Sequence, residues 1–279
     1  MKHREINVEG VGGIPLFAQA WLPDTAPSAV IVIAHGLGEH SSRYQWLAEQ
    51  LVADGRAVYA IDHRGHGRSG GPRANIGRFA HVVSDFCTFA GRARRQHPDA
   101  PLFLFGHSMG GAIAFASAVR VQDTLSGLVL SGPALAAGDA VPTFKLLLAR
   151  LLSLVAPSTG ALKLPAAAVS RDAAVVRAYE RDPLVMHEAI PARTVVELLE
   201  AMDTFSLLAK QLRLPVFVQH GTADALVPID AARSVHQAIA SKDRTFRPYD
   251  GLFHEIYNEP EREQVYGDLR KWLAVHAAG

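Results

Sequence analysis

Five short apolar runs limit what this chain can fold into more than any other feature. They are AVIVIAH (29–35), RAVYAID (56–62), PLFLFG (101–106), LSGLVLSG (125–132) and LPVFVQHG (214–221). Helical patterns follow at 44–53, 79–96 and 109–121, and again near 230–240 and 259–276. Runs that are apolar at nearly every position read as strands buried on both faces, and parallel strands need helical crossovers between them. The pattern predicts an α/β fold whose mostly parallel central sheet is flanked by helices on both faces. The start differs: 5–22 reads as a hairpin about GVGG, and RTFRPYD (244–250) reads as a last strand.

The alternation lapses after Pro133. From 134 to 212 the chain is helix-rich and punctuated by Pro142, Pro157, Pro165, Pro183 and Pro191. The expectation is one domain, with 1–133 and 213–279 forming the core and 134–212 inserted as a helical cap. Within it, VPTFKLLLARLLSLVAP (141–157) is apolar around most of a helix, broken mainly by Lys145 and Arg150. Such a helix has to bury against protein, a lipid-like substrate or a membrane surface. If it touches membranes, polarising Leu147, Leu148 and Leu151 weakens liposome association.

Composition narrows the classes. With 49% apolar residues the chain can build a sizeable core. Lys plus Arg is 28 against 27 Asp plus Glu, a net +1, so bulk charge gives no reason to expect nucleic acid as a partner. The cluster GRARRQH (91–97) reads as a solvated helix face. Cys87 is the only cysteine, which excludes an intrachain disulfide, and its apolar surroundings suit a small packed side chain. The first residues lack a signal-like apolar segment, and no apolar stretch reaches the roughly 20 residues a membrane span needs. The expected location is cytoplasmic, with at most peripheral membrane contact through the cap.

The chemistry centres on GHSMG (106–110), which follows one apolar run and opens a helical one. A serine between glycines at a strand-to-helix turn is the arrangement of a nucleophile elbow. The turn projects the hydroxyl, the glycines let strand and helix approach, and the helix N-terminus offers the Met109 N–H to an oxyanion. Ser108 is the candidate nucleophile, and a serine needs a neutral imidazole to take its proton.

In folds of this kind the acid and the base follow the serine in that order, which leaves His187, His220, His236, His254 and His276. His236 and His276 fall in helical patterns, His187 in the insertion, and His220 at a strand end where it supports the following turn. His254 lies in a glycine-containing loop after the last strand, at the sheet edge where active sites collect. It is the candidate base. Asp224, in the turn after 214–221, is the candidate acid; Asp250 is a rival, but four residues from His254 it is poorly placed to reach the far side of the imidazole. The glycines of AHGLGEHSSRY (34–44) can turn a second oxyanion donor inward, assigned to Leu37. His35, His40, His63 and His66 raise the question of a metal, but no His-Glu-x-x-His pattern is present and the surrounding glycines fit a tight turn better. No metal or cofactor is expected.

With HGLGEHSSRY, DHRGHGRSGG, GHSMGGAIA, LSGPAL, YERDPLV, LPVFVQHGTAD and YDGLFHEIYNEPE in that order, the chain resembles the monoacylglycerol lipases over nearly its whole length. The resemblance implies an α/β-hydrolase fold, a lipid-like ester as substrate, and an acyl tunnel beneath the cap. It also implies glycerol-end contacts from Glu39 and Arg43 and a cap contact from Tyr179. For Glu39 and Arg43 a salt bridge that only shapes the loop is the competing reading. Where mammalian members have a cysteine a few residues after the acid, this chain has Val227, so a thiol-directed inhibitor should not act there. The function expected is hydrolysis of a monoacylglycerol to fatty acid and glycerol. Lysophospholipase or general carboxylesterase activity is the alternative within the class, and a non-catalytic receptor is disfavoured because all three candidate residues are present.

Overall fold

The computed structural model describes residues 1–137 and 152–277. Eight strands form one sheet: β1 (Lys2–Glu9), β2 (Pro15–Leu22), β3 (Val30–Ala34), β4 (Ala57–Ile61), β5 (Leu102–His107), β6 (Gly127–Ser131), β9 (Val216–Gly221) and β10 (Arg244–Tyr249). Their order is β1-β2-β4-β3-β5-β6-β9-β10. The hairpin β1–β2 is antiparallel and β2 joins β4 antiparallel, whereas every pairing from β4 onward is parallel. A two-stranded ribbon, β7 (Gly160–Leu162) with β8 (Ile190–Pro191), lies within the insertion.

The central strands are buried throughout, which is why they read as continuous apolar runs. Alternate residues still go to opposite faces. Val30, Val32, Leu102 and Leu104 join the core beneath α2 (Phe79–Gln96) and α3 (Met109–Val121). Ile31, Ile33, Phe103 and Phe105 join the core beneath α1 (Gln45–Ala53) and α7 (Arg262–His276), which follows α6 (Ile229–Ala238). Both edges are protected. β1 carries charged, exposed residues, and β10 holds Pro248, a residue tolerated at a sheet edge because it has no N–H to give.

The insertion between β6 and β9 also contains α4 (Ala173–Arg181) and α5 (Ala192–Ala209). Asp172 starts α4 by accepting the Ala174 N–H at 2.7 Å. α5 is amphipathic, and it buries Leu198, Phe205 and Ala209 in the same core as α2 and α3. The last third of the insertion is thus packed into the flank of the sheet. The apolar segment expected at 141–157 lies mostly outside the described residues, and Leu147, Leu148 and Leu151 lie wholly outside them. No helix among the described residues is long and apolar enough to cross a membrane.

Parallel register brings the strand ends abreast. Ala34 pairs with Gly106, His107 with Ser131, Ser131 with Gln219, and Gly221 with Tyr249. The loops after β3, β5, β6, β9 and β10 therefore converge on one edge, where open α/β sheets place their ligands.

Candidate active site

Ser108 follows β5 as the N-cap residue of α3, with φ 53° and ψ −121°. A non-glycine residue at positive φ costs about 1–3 kcal/mol and persists only where the surroundings enforce it. Here they do. The Ser108 N–H donates to Ser131 O at 3.1 Å, and its carbonyl accepts from Gly111, Ala112 and Ala134. The neighbouring glycines explain themselves: a Cβ on Gly106 would sit 2.7 Å from Ala114 Cβ, and one on Gly110 would collide with the carbonyls of Ala34 and His35. The motif packs helix against strand as closely as backbones allow.

Asp224 and His254, 30 residues apart, meet through His254 Nδ1 and Asp224 Oδ2 at 2.7 Å. The other carboxylate oxygen, Oδ1, accepts the N–H groups of Leu226 and Val227, both at 2.9 Å. Burial alone would raise the Asp224 carboxyl, but hydrogen bonds from His220 and His254 outweigh it and hold the group well below the usual carboxylate range. With a carboxylate at Nδ1 the imidazole proton is assigned to that nitrogen, which leaves the Nε2 lone pair free to accept. Ser108 and His254 line one cavity of about 290 Å³, together with Leu37, Leu164, Val169 and Leu226. No hydrogen bond joins the serine to the histidine, a common state of such pairs before substrate binds. Asp250 instead accepts from the Thr222 hydroxyl at 3.2 Å.

The loop after β3 passes directly over the serine: a Cβ on Gly36 would lie 3.2 Å from Ser108 Cβ. Leu37 lines the cavity, and its N–H makes no hydrogen bond among the described residues. The Met109 N–H belongs to the first turn of α3, where no helix carbonyl can take it. Two unspent donors thus flank the serine, as an oxyanion would require.

Glu39 and Arg43 form the salt bridge that the sequence allowed, at 3.0 Å, and it extends further than the loop. Glu39 Oε1 accepts from the Gly36 N–H at 2.6 Å and from the Tyr44 hydroxyl at 2.7 Å. Arg43 grips Glu255 with both terminal nitrogens, at 2.6 and 2.7 Å, and its guanidinium lies 4.7 Å from the centre of the Tyr179 ring. Burial works against both charges, but each stabilises the other, so Arg43 is held above and Glu255 below its ordinary range. Burial, reinforced by Glu255 and Glu39, pushes the Tyr179 hydroxyl up to about 12. Glu39, Tyr179 and Glu255 line the serine cavity, while Arg43 lies behind it in an adjoining one of about 370 Å³ that shares Glu39, His107 and Glu255.

The insertion is fastened to this loop. The Met186 N–H donates to Gly38 O at 2.7 Å, and His40 Nε2 lies 2.8 Å from Asp182 Oδ2. Three of the upstream histidines make structural hydrogen bonds through their rings. His35 bridges two strand ends, pairing Nδ1 with Gly36 O at 2.7 Å and accepting the His63 N–H on Nε2 at 2.9 Å. His40 contacts the insertion, and His66 pairs with Arg64 O at 3.0 Å.

Sequence reasoning missed four participants. Glu255 follows the candidate base and ties it to the loop after β3. Gly132, at φ 47°, leaves room for the His254–Asp224 contact: a Cβ there would lie 3.2 Å from His254 Nδ1. The His107 ring lies tilted against His254, centres 4.6 Å apart, and burial holds its pKa down at about 4. His220 supports the turn through Val227 O, as its position suggested, but it also reaches Asp224. Of the first three only Gly132 carried a signal, as a glycine at a strand end.

A family model described as "Serine aminopeptidase, S33" (Hydrolase_4) matches residues 25–261. The monoacylglycerol lipase of Mycolicibacterium smegmatis is 42% identical over 98% of this chain and 97% of its own length. Human monoglyceride lipase is 34% identical over 94% of this chain and 88% of its own. Among solved structures, the monoacylglycerol lipase of Paleococcus ferrophilus superposes with a TM-score of 0.83 at 31% identity, covering 94% of this chain and 99% of that one. Matches of this length, joined to the converging strand ends and the serine elbow, place the protein: it belongs to the monoacylglycerol lipase family of α/β-hydrolase-fold serine hydrolases.

Proposed function

We propose that the protein hydrolyses monoacylglycerols to fatty acid and glycerol through an acyl-enzyme on Ser108. The observation that carries the reading is the 2.7 Å contact between His254 Nδ1 and Asp224, beside a serine held at positive φ in the same cavity. In this mechanism His254 Nε2 takes the Ser108 hydroxyl proton as Oγ bonds to the ester carbonyl carbon. The carbonyl oxygen becomes an oxyanion and accepts from the N–H groups of Leu37 and Met109. Collapse breaks the bond to the glycerol oxygen, which leaves with the proton from His254. A water then attacks the acyl carbon, gives His254 its proton, and Ser108 recovers it as the fatty acid departs. Asp224 keeps the imidazole in one tautomer and stabilises its charged form throughout.

The polar end of the cavity favours a neutral headgroup. Among the described residues no Lys or Arg lines the serine cavity, and Arg43 behind it is already bound by two carboxylates, Glu39 and Glu255. A phosphate-bearing headgroup would meet that pair of acids, whereas glycerol hydroxyls can donate to Glu39. The apolar side, with Leu164, Val169 and Leu226, suits an acyl chain. The exposed Leu154 and Val155 support a further part of this reading, in which the insertion touches lipid surfaces transiently.

A panel of monoacylglycerol, diacylglycerol, lysophosphatidylcholine and p-nitrophenyl esters of graded length tests the substrate. Monoacylglycerol should show the highest kcat/KM. A preference for lysophosphatidylcholine would replace this reading with a phospholipid one, and equal turnover of all esters would reduce it to a general carboxylesterase.

A further inference from the structure

Asp224 is shared by two imidazoles. His220, at the end of β9 and fully buried, places Nε2 3.1 Å from the same Oδ2 that His254 reaches, and 3.0 Å from Val227 O. Its Nδ1 is buried and has no hydrogen-bond partner among the described residues. Two acceptors face one nitrogen and none faces the other, so the proton is assigned to Nε2 and His220 donates to Asp224. The carboxylate then accepts four hydrogen bonds, two on each oxygen, which fills its capacity. The steps above use only one of them.

We propose that His220 is a positioning residue of the reaction, whose Nε2–H fixes Asp224 Oδ2 and withdraws part of the charge that the carboxylate offers to His254. The inference rests on the reading of Ser108, His254 and Asp224 given above.

The reason lies in the double duty of the imidazole. His254 must take a proton from the serine and then surrender it to the leaving alcohol, so neither form can be held too tightly. An Asp224 relieved of one donor is a stronger acceptor and stabilises the imidazolium more. Proton pick-up then becomes easier and delivery to the alcohol harder. The Leu226 and Val227 N–H groups would still hold Oδ1, so loss of His220 should retune the carboxylate more than displace it. The other titratable and charged groups around the pair are His107 on β5, and Glu39, Glu255 and the Arg43 bound between them. None of these is hydrogen-bonded to His220, so substitution there reaches Asp224 without rearranging their contacts.

The test compares His220→Leu, His220→Gln and His220→Asn in the pH dependence of kcat/KM for a soluble p-nitrophenyl ester. A thermal melt checks each fold, and Ser108→Ala and Asp224→Asn serve as controls. Leu and Asn remove a donor that Gln can return, because only the longer amide reaches Oδ2. For Leu and Asn the expected result is an acid limb moved up by about half a pH unit, with kcat lowered roughly three- to tenfold. The limb should return toward wild type in Gln. The downfield proton resonance of the His254–Asp224 hydrogen bond should shift in Leu and Asn and recover in Gln. If the Leu variant does not fold, the Gln and Asn pair carries the comparison alone. An acid limb and a proton resonance unmoved in Leu and Asn would overturn the proposal, whatever happens to kcat. Retained activity in Asp224→Asn would instead overturn the underlying triad reading, so the two failures are distinct.

Discussion

Two loop systems reach the serine from opposite sides, and they are held by different physics. The loop after β3 is braced by full charges: Glu39, Arg43 and Glu255 form one buried ion network, stacked against Tyr179 of the insertion. Where the loops after β9 and β10 meet, the Asp224 carboxylate collects hydrogen bonds from two imidazoles and two backbone N–H groups. The difference follows from what each side would have to do in the proposed mechanism. The loop after β3 has only to keep the Leu37 N–H still, and a rigid ion network serves that. The base side must let a proton come and go, and a carboxylate surrounded by neutral donors can stabilise either state of His254.

The contrast can be broken from the base side first. Asp224→Asn keeps the shape but disturbs the imidazole tautomer, and kcat should fall by about four orders of magnitude with little change in KM. Steady-state kinetics on a soluble ester measures this, and a loss below tenfold would remove Asp224 from the mechanism. Gly132→Ala is milder. The added methyl would press on both members of the His254–Asp224 contact, at 3.2 and 3.4 Å, from a residue at positive φ. A kcat loss of about ten- to a hundredfold is expected, with a stability cost of about 1–2 kcal/mol by denaturant titration.

On the oxyanion side the effect should fall on stability before rate. Glu255→Ala leaves the buried Arg43 with only Glu39, and should cost about 3 kcal/mol in urea unfolding while kcat/KM drops less than in Gly132→Ala. If kcat/KM fell further than in Gly132→Ala at unchanged stability, the two sides would not divide in this way.

A further effect, on stability alone, is a pH dependence shared by both sides. Burial lowers His35 and His107 to about 4 and His66 to about 3. In the unfolded chain such groups titrate near 6.5, so between about pH 6.5 and 4 the unfolded state binds more protons. Their contribution to stability is therefore complete above about pH 6.5 and is lost as the pH falls toward 4. Urea midpoints measured at pH 7, 6 and 5 should decrease in that order, and a flat series would contradict the burial argument.

How much of this was legible in the sequence follows the range of the interactions. The sheet was, because a strand buried on both faces announces itself in five consecutive residues. So was the meeting of Ser108, Asp224 and His254 at one sheet edge, since each sits in a turn directly after a strand. The ion network was not: Arg43 and Glu255 are 212 residues apart, and neither has a local feature that points to the other. His220 was assigned to its turn correctly, but its second hydrogen bond depends on how Asp224 folds back over the strand end. α5 was grouped with the cap because helices there follow one another without strands. Only its buried stripe of Leu198, Phe205 and Ala209 shows that it packs on α2 and α3.

The central claim is that Ser108 is a nucleophile activated by this arrangement. Incubating the folded protein with a fluorophosphonate and locating the adduct by peptide mass spectrometry tests it most directly. The account predicts one adduct per chain, on Ser108, absent in Ser108→Ala and strongly slowed in Asp224→Asn. An unlabelled wild-type protein, or an adduct on any other residue, would contradict it.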